Sequence, residues 1–135
     1  MATEIRRVDY FYVTVEDKHG KGYWLLEHFR QKGVSLVAFT AFPLGAGQTQ
    51  LDFIAEDAEK LQTAAAEANV NLVGPKRAFL LQGDDKTGAI VELHYKLSTE
   101  GINVYAANGV SGGGGRFGYV LWVKPEGWEA YELRE

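Results

Sequence analysis

Residues 11–67 and 79–135 align without a gap at a constant spacing of 68. Ten positions are identical, among them Asp17/Asp85, Gly20/Gly88, Leu25/Leu93, Gly33/Gly101, Gly45/Gly113 and Gly47/Gly115. Others are close in kind, such as Phe29/Leu97, Val34/Ile102 and Leu36/Val104. Glycine recurs at the points where the chain must turn, where its tolerance of positive φ is needed. A spacing of this size marks the duplication of one supersecondary unit.

The first copy begins at 8–15, where Tyr10, Tyr12 and Thr14 alternate with Phe11, Val13 and Val15 as in a strand. Residues 22–32 set Leu25, Leu26 and Phe29 on one side and Glu27, Arg30 and Gln31 elsewhere, which predicts an amphipathic helix. Gly33 closes it from the C′ position. Strands are expected at 34–42 and 50–55 across a hairpin at 45–47. Asp57 caps a helix running to Ala68, and 70–73 is a last short strand stopped by Gly74-Pro75. The second copy repeats the pattern: strand 78–82, helix 88–100 with Gly101 as its cap, strands 102–110 and 117–123 around 111–115, and a helix 125–134. It lacks a counterpart of the last strand.

The order β-α-β-β-α-β defines an α+β, ferredoxin-like fold: antiparallel sheets with helices on one face. Right-handed crossovers give the strand order fourth, first, third, second. The expected modules are 1–75 and 76–135, packed as one unit. Tyr10, Tyr12, Tyr105, Val120 and Trp122 make both faces of the strands apolar, the mark of covered sheets. With an open edge left by the truncated copy, this points to a homodimer.

Composition excludes several functions. Cysteine is absent, so disulfides, thiolate metal sites and cysteine nucleophiles are ruled out. Net charge is −4 with no basic block, which gives a nucleic-acid backbone nothing to hold. No signal peptide or membrane span is expected, and a cytoplasmic location follows as the default. His19, His28 and His94 show no ligand spacing, so no metal and no cofactor are expected. No nucleophile–base pair stands out, so the chain reads as a non-enzyme.

An Asp-x-x-Gly loop after a first strand, opening a helix that ends in Gly-Ile-Asn, resembles the ACT domain family. It stands here as Asp85-Lys86-Thr87-Gly88, then Leu93, then Gly101-Ile102-Asn103. The first copy carries Asp17-Lys18-His19-Gly20, Leu25 and Gly33-Val34-Ser35. The resemblance covers nearly the whole chain as two tandem modules, like small stand-alone tandem ACT proteins. It implies a regulatory or sensory role through binding an amino acid or similar metabolite. The ligand would sit between the loop after the first strand and the start of the second strand, at an interface between modules. Asp17 or Asp85 would receive an ammonium group, and the helix N-terminus would face a carboxylate. Lys86, Thr87, Gly88 and Asn103 complete the set in the second copy, and His19, Gly20 and Ser35 in the first. The family often has proline before the loop glycine; His19 and Thr87 stand there instead, and Thr87 reads as an N-cap.

Two other constellations compete. Arg116-Phe117-Gly118-Tyr119-Val120-Leu121-Trp122 resembles the aromatic strand of RNA-recognition motifs, and would stack bases through Phe117 and Tyr119. Gly115 and Arg116 stand in reverse order for that motif. Residues 111–115 suggest a phosphate loop, but they lead into a strand rather than a helix, and read as a flexible connection. A purely structural dimer is the remaining alternative.

Overall fold

The computed structural model describes residues 4–123. Its elements are β1 (Glu4–Glu16), α1 (Lys21–Gln31), β2 (Leu36–Gly45), β3 (Gln48–Ala55), α2 (Ala58–Glu67), β4 (Val73–Asp84), α3 (Val91–Thr99), β5 (Val104–Gly113) and β6 (Arg116–Val123). The helix expected at 125–134 lies outside the described residues. None of the described helices is long and apolar enough to cross a membrane.

Two compact units emerge. The first is Asp9–Lys76; the second joins the described residues from Arg77 onward to those through Val8. The first unit has the strand order β2-β3-β1-β4, and the second β1-β4-β6-β5. The first matches the order expected from crossover handedness, and the second reaches the same order with β1 as its fourth strand.

The division corrects two sequence expectations. The strand expected at 70–73 starts only at Val73 and does not stop at Gly74-Pro75; β4 continues to Asp84. Its first residues form the edge of the first unit, where the missing N–H of Pro75 can face away from the ladder. The last strand thought absent from the second copy is present, supplied from the other end of the chain. Glu4–Val8 of β1 belongs to the second unit, beside β4, and Ile5 packs against that unit's core. A strand that arrives from the N-terminus lies outside any repeat read forward from Phe79.

The duplication reaches the ladder itself. Phe11 pairs with Phe53 and Glu16 with Gln48 in the first unit. At the same spacing, Phe79 pairs with Leu121 and Asp84 with Arg116 in the second. Bulges fall at Leu36/Ala38 and Pro43/Gly45, and again at Val104/Ala106 and Ser111/Gly113. Helix ends repeat too. Gly33, at φ 75, donates to Arg30 O while Val34 donates to Phe29 O; Gly101, at φ 71, donates to Ser98 O while Ile102 donates to Leu97 O. Both are Schellman caps, with glycine at C′ as the sequence requires. Asp57 caps α2 through Oδ1, which accepts from the Lys60 N–H at 3.1 Å.

Each unit has its own core between helix and sheet. In the first, Phe11, Val13, Leu51 and Phe53 meet Leu25 and Phe29 of α1 and Leu61 and Ala64 of α2. Phe29 and Phe53 pack edge to face at 5.2 Å. In the second, Phe79, Leu81, Phe117, Tyr119 and Leu121 meet Leu93 and Leu97 of α3. Tyr10, Val120 and Trp122 are buried as expected, whereas Tyr105, on the outer strand β5, is 60% exposed.

Candidate ligand site

Both Asp-x-x-Gly loops are exposed, and each is tied to the hairpin of its own unit. The Asp17 N–H donates to Gly47 O at 2.7 Å and the Asp85 N–H to Gly115 O at 2.8 Å. The hairpins are tighter than expected. Two residues turn each one: Ala46 and Gly47 at φ 54 and 74, and Gly114 and Gly115 at φ 62 and 78. Positive φ at both central residues matches the right-handed twist of the flanking strands. The run 111–115 is thus mostly strand, not a flexible loop.

The two loops open their helices differently. Gly20, at φ 86, is itself the N-cap of α1, and its carbonyl accepts from the Trp24 N–H at 2.9 Å. Amides at the start of α1 therefore lie directly after the loop, with the partial positive charge of a helix N-terminus. In the second copy Gly88 also has positive φ, 73, but α3 begins only at Val91. Ala89 N–H donates to Lys86 O and Val91 N–H to Gly88 O, so a turn intervenes. Thr87 does not cap α3. The N-cap is Ile90, which has no side-chain acceptor for the free amides.

The carboxylates differ as well. Ser111 Oγ donates to Asp85 Oδ2 at 2.6 Å, and Arg116 Nη1 to the neighbouring Asp84 Oδ1 at 3.0 Å. In the first copy Pro43 occupies the position of Ser111, and Lys18 forms an exposed ion pair with Glu16 at 3.0 Å. Sequence spacing alone does not place Ser111, Gly115 and Arg116 beside the loop. The order β-α-β-β carries the signal, because it returns the hairpin to the end of the sheet where the first strand exits.

Ser35 and Asn103 do not join their loops. In the first unit Glu16 pairs with Gln48 at the hairpin end, while Leu36 pairs with Ala55 at the other end. In the second, Asp84 pairs with Arg116 and Val104 with Val123. Ser35 and Asn103 immediately precede β2 and β5, so the length of the sheet separates each from the loop of its own unit. Asp17, His19 and Gly20 form one group, and Asp85, Lys86, Thr87 and Gly88 another.

The RNA reading is overturned. Phe117 and Tyr119 are buried in the helix-side core of the second unit, and Tyr119 OH lies 2.7 Å from His94 Nε2. Burial pushes the Tyr119 phenol up. Neither ring is open to a base. Among the described residues no group of acidic and histidine side chains is placed to hold a metal ion.

No family model matches the chain, and no curated protein does. Solved structures do. Protein BT0572 from Bacteroides thetaiotaomicron superposes with a TM-score of 0.74 at 15% identity, over 95% of this chain and 87% of that one. The regulatory subunit of aspartate kinase from Thermus thermophilus, in a ligand-free form, gives 0.60 at 13%, over 90% and 87%. A structure of aspartokinase alpha and beta subunits gives 0.64 at 14%, over 90% and 86%. At these identities the likeness is one of fold. The chain has the α+β fold of those structures, and its resemblance to the ACT family holds at that level.

Proposed function

We propose that the chain is a non-enzymatic regulatory or sensory protein that binds an amino acid or a similar zwitterion. It would do so as two tandem ACT-type modules divided near 75/76, with Glu4–Val8 lent to the second. The observation that carries this reading is the loop itself. In both units an exposed aspartate, tied through its N–H to the hairpin, stands three residues before a positive-φ glycine at the approach to a helix. A carboxylate and helix amides at that spacing suit the two ends of a zwitterion. The fold shared with the regulatory subunit of aspartate kinase from Thermus thermophilus supports the same role. Because Ser35 and Asn103 lie away from the loops of their own units, a ligand that used them together with a loop would need a second subunit. Binding would then bias one assembly over another by its differential affinity.

The test is a thermal-shift screen of the twenty amino acids at millimolar concentration. At about 100 times Kd, a ligand adds ~2.7 kcal/mol, a rise of several degrees for a domain of this size. One amino acid should raise the midpoint, and Asp17→Ala, Asp85→Ala or Gly88→Val should abolish the effect. Flat curves throughout would leave the structural-dimer reading, which the exposed and uncharged strand β5 favours.

A further inference from the structure

Asp52 is a buried carboxylate, 7% exposed, at the centre of β3. Leu51 and Phe53 on either side point into the core beneath α1 and α2, so alternation turns Asp52 to the other sheet face. Its ladder partners are Tyr12 on β1 and Thr40 on β2. Gln50, two residues back on the same face, donates from Nε2 to Asp52 Oδ1 at 2.8 Å. Tyr12, Thr40 and Gln50 are half-buried, and beyond them toward the hairpin Thr14 and Phe42 are exposed. Exposure thus rises from Asp52 toward the hairpin end of this face, along a polar and aromatic rim. The Lys76 ammonium already stands 5.6 Å over the Tyr12 ring.

The second copy is an internal control. At the positions of Tyr12, Gln50 and Asp52, the spacing of 68 places Leu80, Gly118 and Val120. Leu80 and Val120 are buried at the equivalent ladder positions. This fold is thus satisfied there by apolar side chains. A carboxylate in such a place is costly unless it is paired, and burial already holds Asp52 above the usual carboxylate range.

We propose that this face of the first unit is a binding site for an organic ammonium ion, with Asp52 as counter-ion, Gln50 holding the carboxylate, and the Tyr12 and Phe42 rings beside the cation. The site is distinct from the Asp-x-x-Gly loops and stands without them.

The experiment titrates n-butylammonium and putrescine into the full-length protein and follows the Asp52 side-chain carboxyl carbon by NMR. A saturable shift is expected with at least one amine. Asp52→Asn should abolish binding, measured by calorimetry, while its thermal midpoint shows that the fold is intact. Tyr12→Leu, which copies the second unit, should weaken binding about tenfold, within the range of a cation–π contact. Asp17→Ala and Asp85→Ala should leave it unchanged. The proposal is overturned if no amine shifts the Asp52 carboxyl, if Asp52→Asn binds as well as the parent, or if a loop variant abolishes binding in its place.

Discussion

Asp52 and Gly109 are the residues at which the two copies part most clearly. Burial raises the Asp52 carboxyl above its unfolded value. The folded state therefore favours the protonated form: the stability this confers is present at low pH and lost as pH rises through the folded value. Near neutrality the ionised group is a liability. Asp52→Asn, which keeps an acceptor for Gln50, should stabilise the chain at pH 7 by roughly 1–3 kcal/mol, the scale of a buried polar group without full satisfaction. The gain should shrink toward pH 3, as denaturation at a series of pH values would show. Gly109 faces Tyr119 across the β5–β6 ladder, and a Cβ there would come within 2.7 Å of Tyr119 Cδ1. In the first copy the pair is Ala41 and Leu51. Gly109→Ala should cost about 1–3 kcal/mol. Adding Tyr119→Leu should recover part of that loss, so a double-mutant cycle in denaturant should return a clear coupling.

Strands β1 and β4 each serve two units, an arrangement that makes a local change felt at a distance in sequence. Ile5 lies more than seventy residues before Phe79 yet packs with its cluster. Ile5→Ala should destabilise the second unit by about 1 kcal/mol, below the range for fully buried positions because Ile5 is only partly covered. Hydrogen exchange is the measurement: amides of β6 should lose protection while those of β3 keep theirs. Strands, helices and caps were legible because each has a local cause. Tyr10 to Val15 alternate, Leu25 and Phe29 share a helix face, and Gly33 and Gly101 terminate where a left-handed residue is needed. The start of α3 was not legible. Thr87-Gly88 has the composition of a cap, but the chain makes a turn through Ala89 before the helix begins.

At the scale of the whole molecule, the outer strand β5 is the feature with most consequence. It has ten residues, no charge and no proline, and all but Val104 are exposed. Natural edges usually carry lysine, proline or a bulge that discourages pairing; β5 has bulges near its ends only. An uncharged strand can pair with its own copy without repulsion. Self-association through β5 is the expected outcome, and sedimentation should detect it at micromolar concentration. Val110→Lys, at a position 69% exposed, should shift the chain toward monomer without lowering its thermal midpoint by more than about 0.5 kcal/mol equivalent.

The sequence alone determined the repeated pattern, the types of the described elements, the strand order of the first unit and the Asp-x-x-Gly loops, because each is set by periodicity and turn chemistry along the chain. Periodicity, turn chemistry and crossover handedness act locally or through short connections. Tertiary structure alone decided the rest. It brought Glu4–Val8 to complete the second sheet, placed Ser111 and Arg116 beside Asp85 and Asp84, and sent Ser35 and Asn103 to the far ends of their sheets. It also turned Phe117 and Tyr119 inward and buried Asp52 at the centre of β3. Each outcome is set by pairing between distant strands, and the register of a strand, not its composition, decides which neighbours and which face a side chain receives.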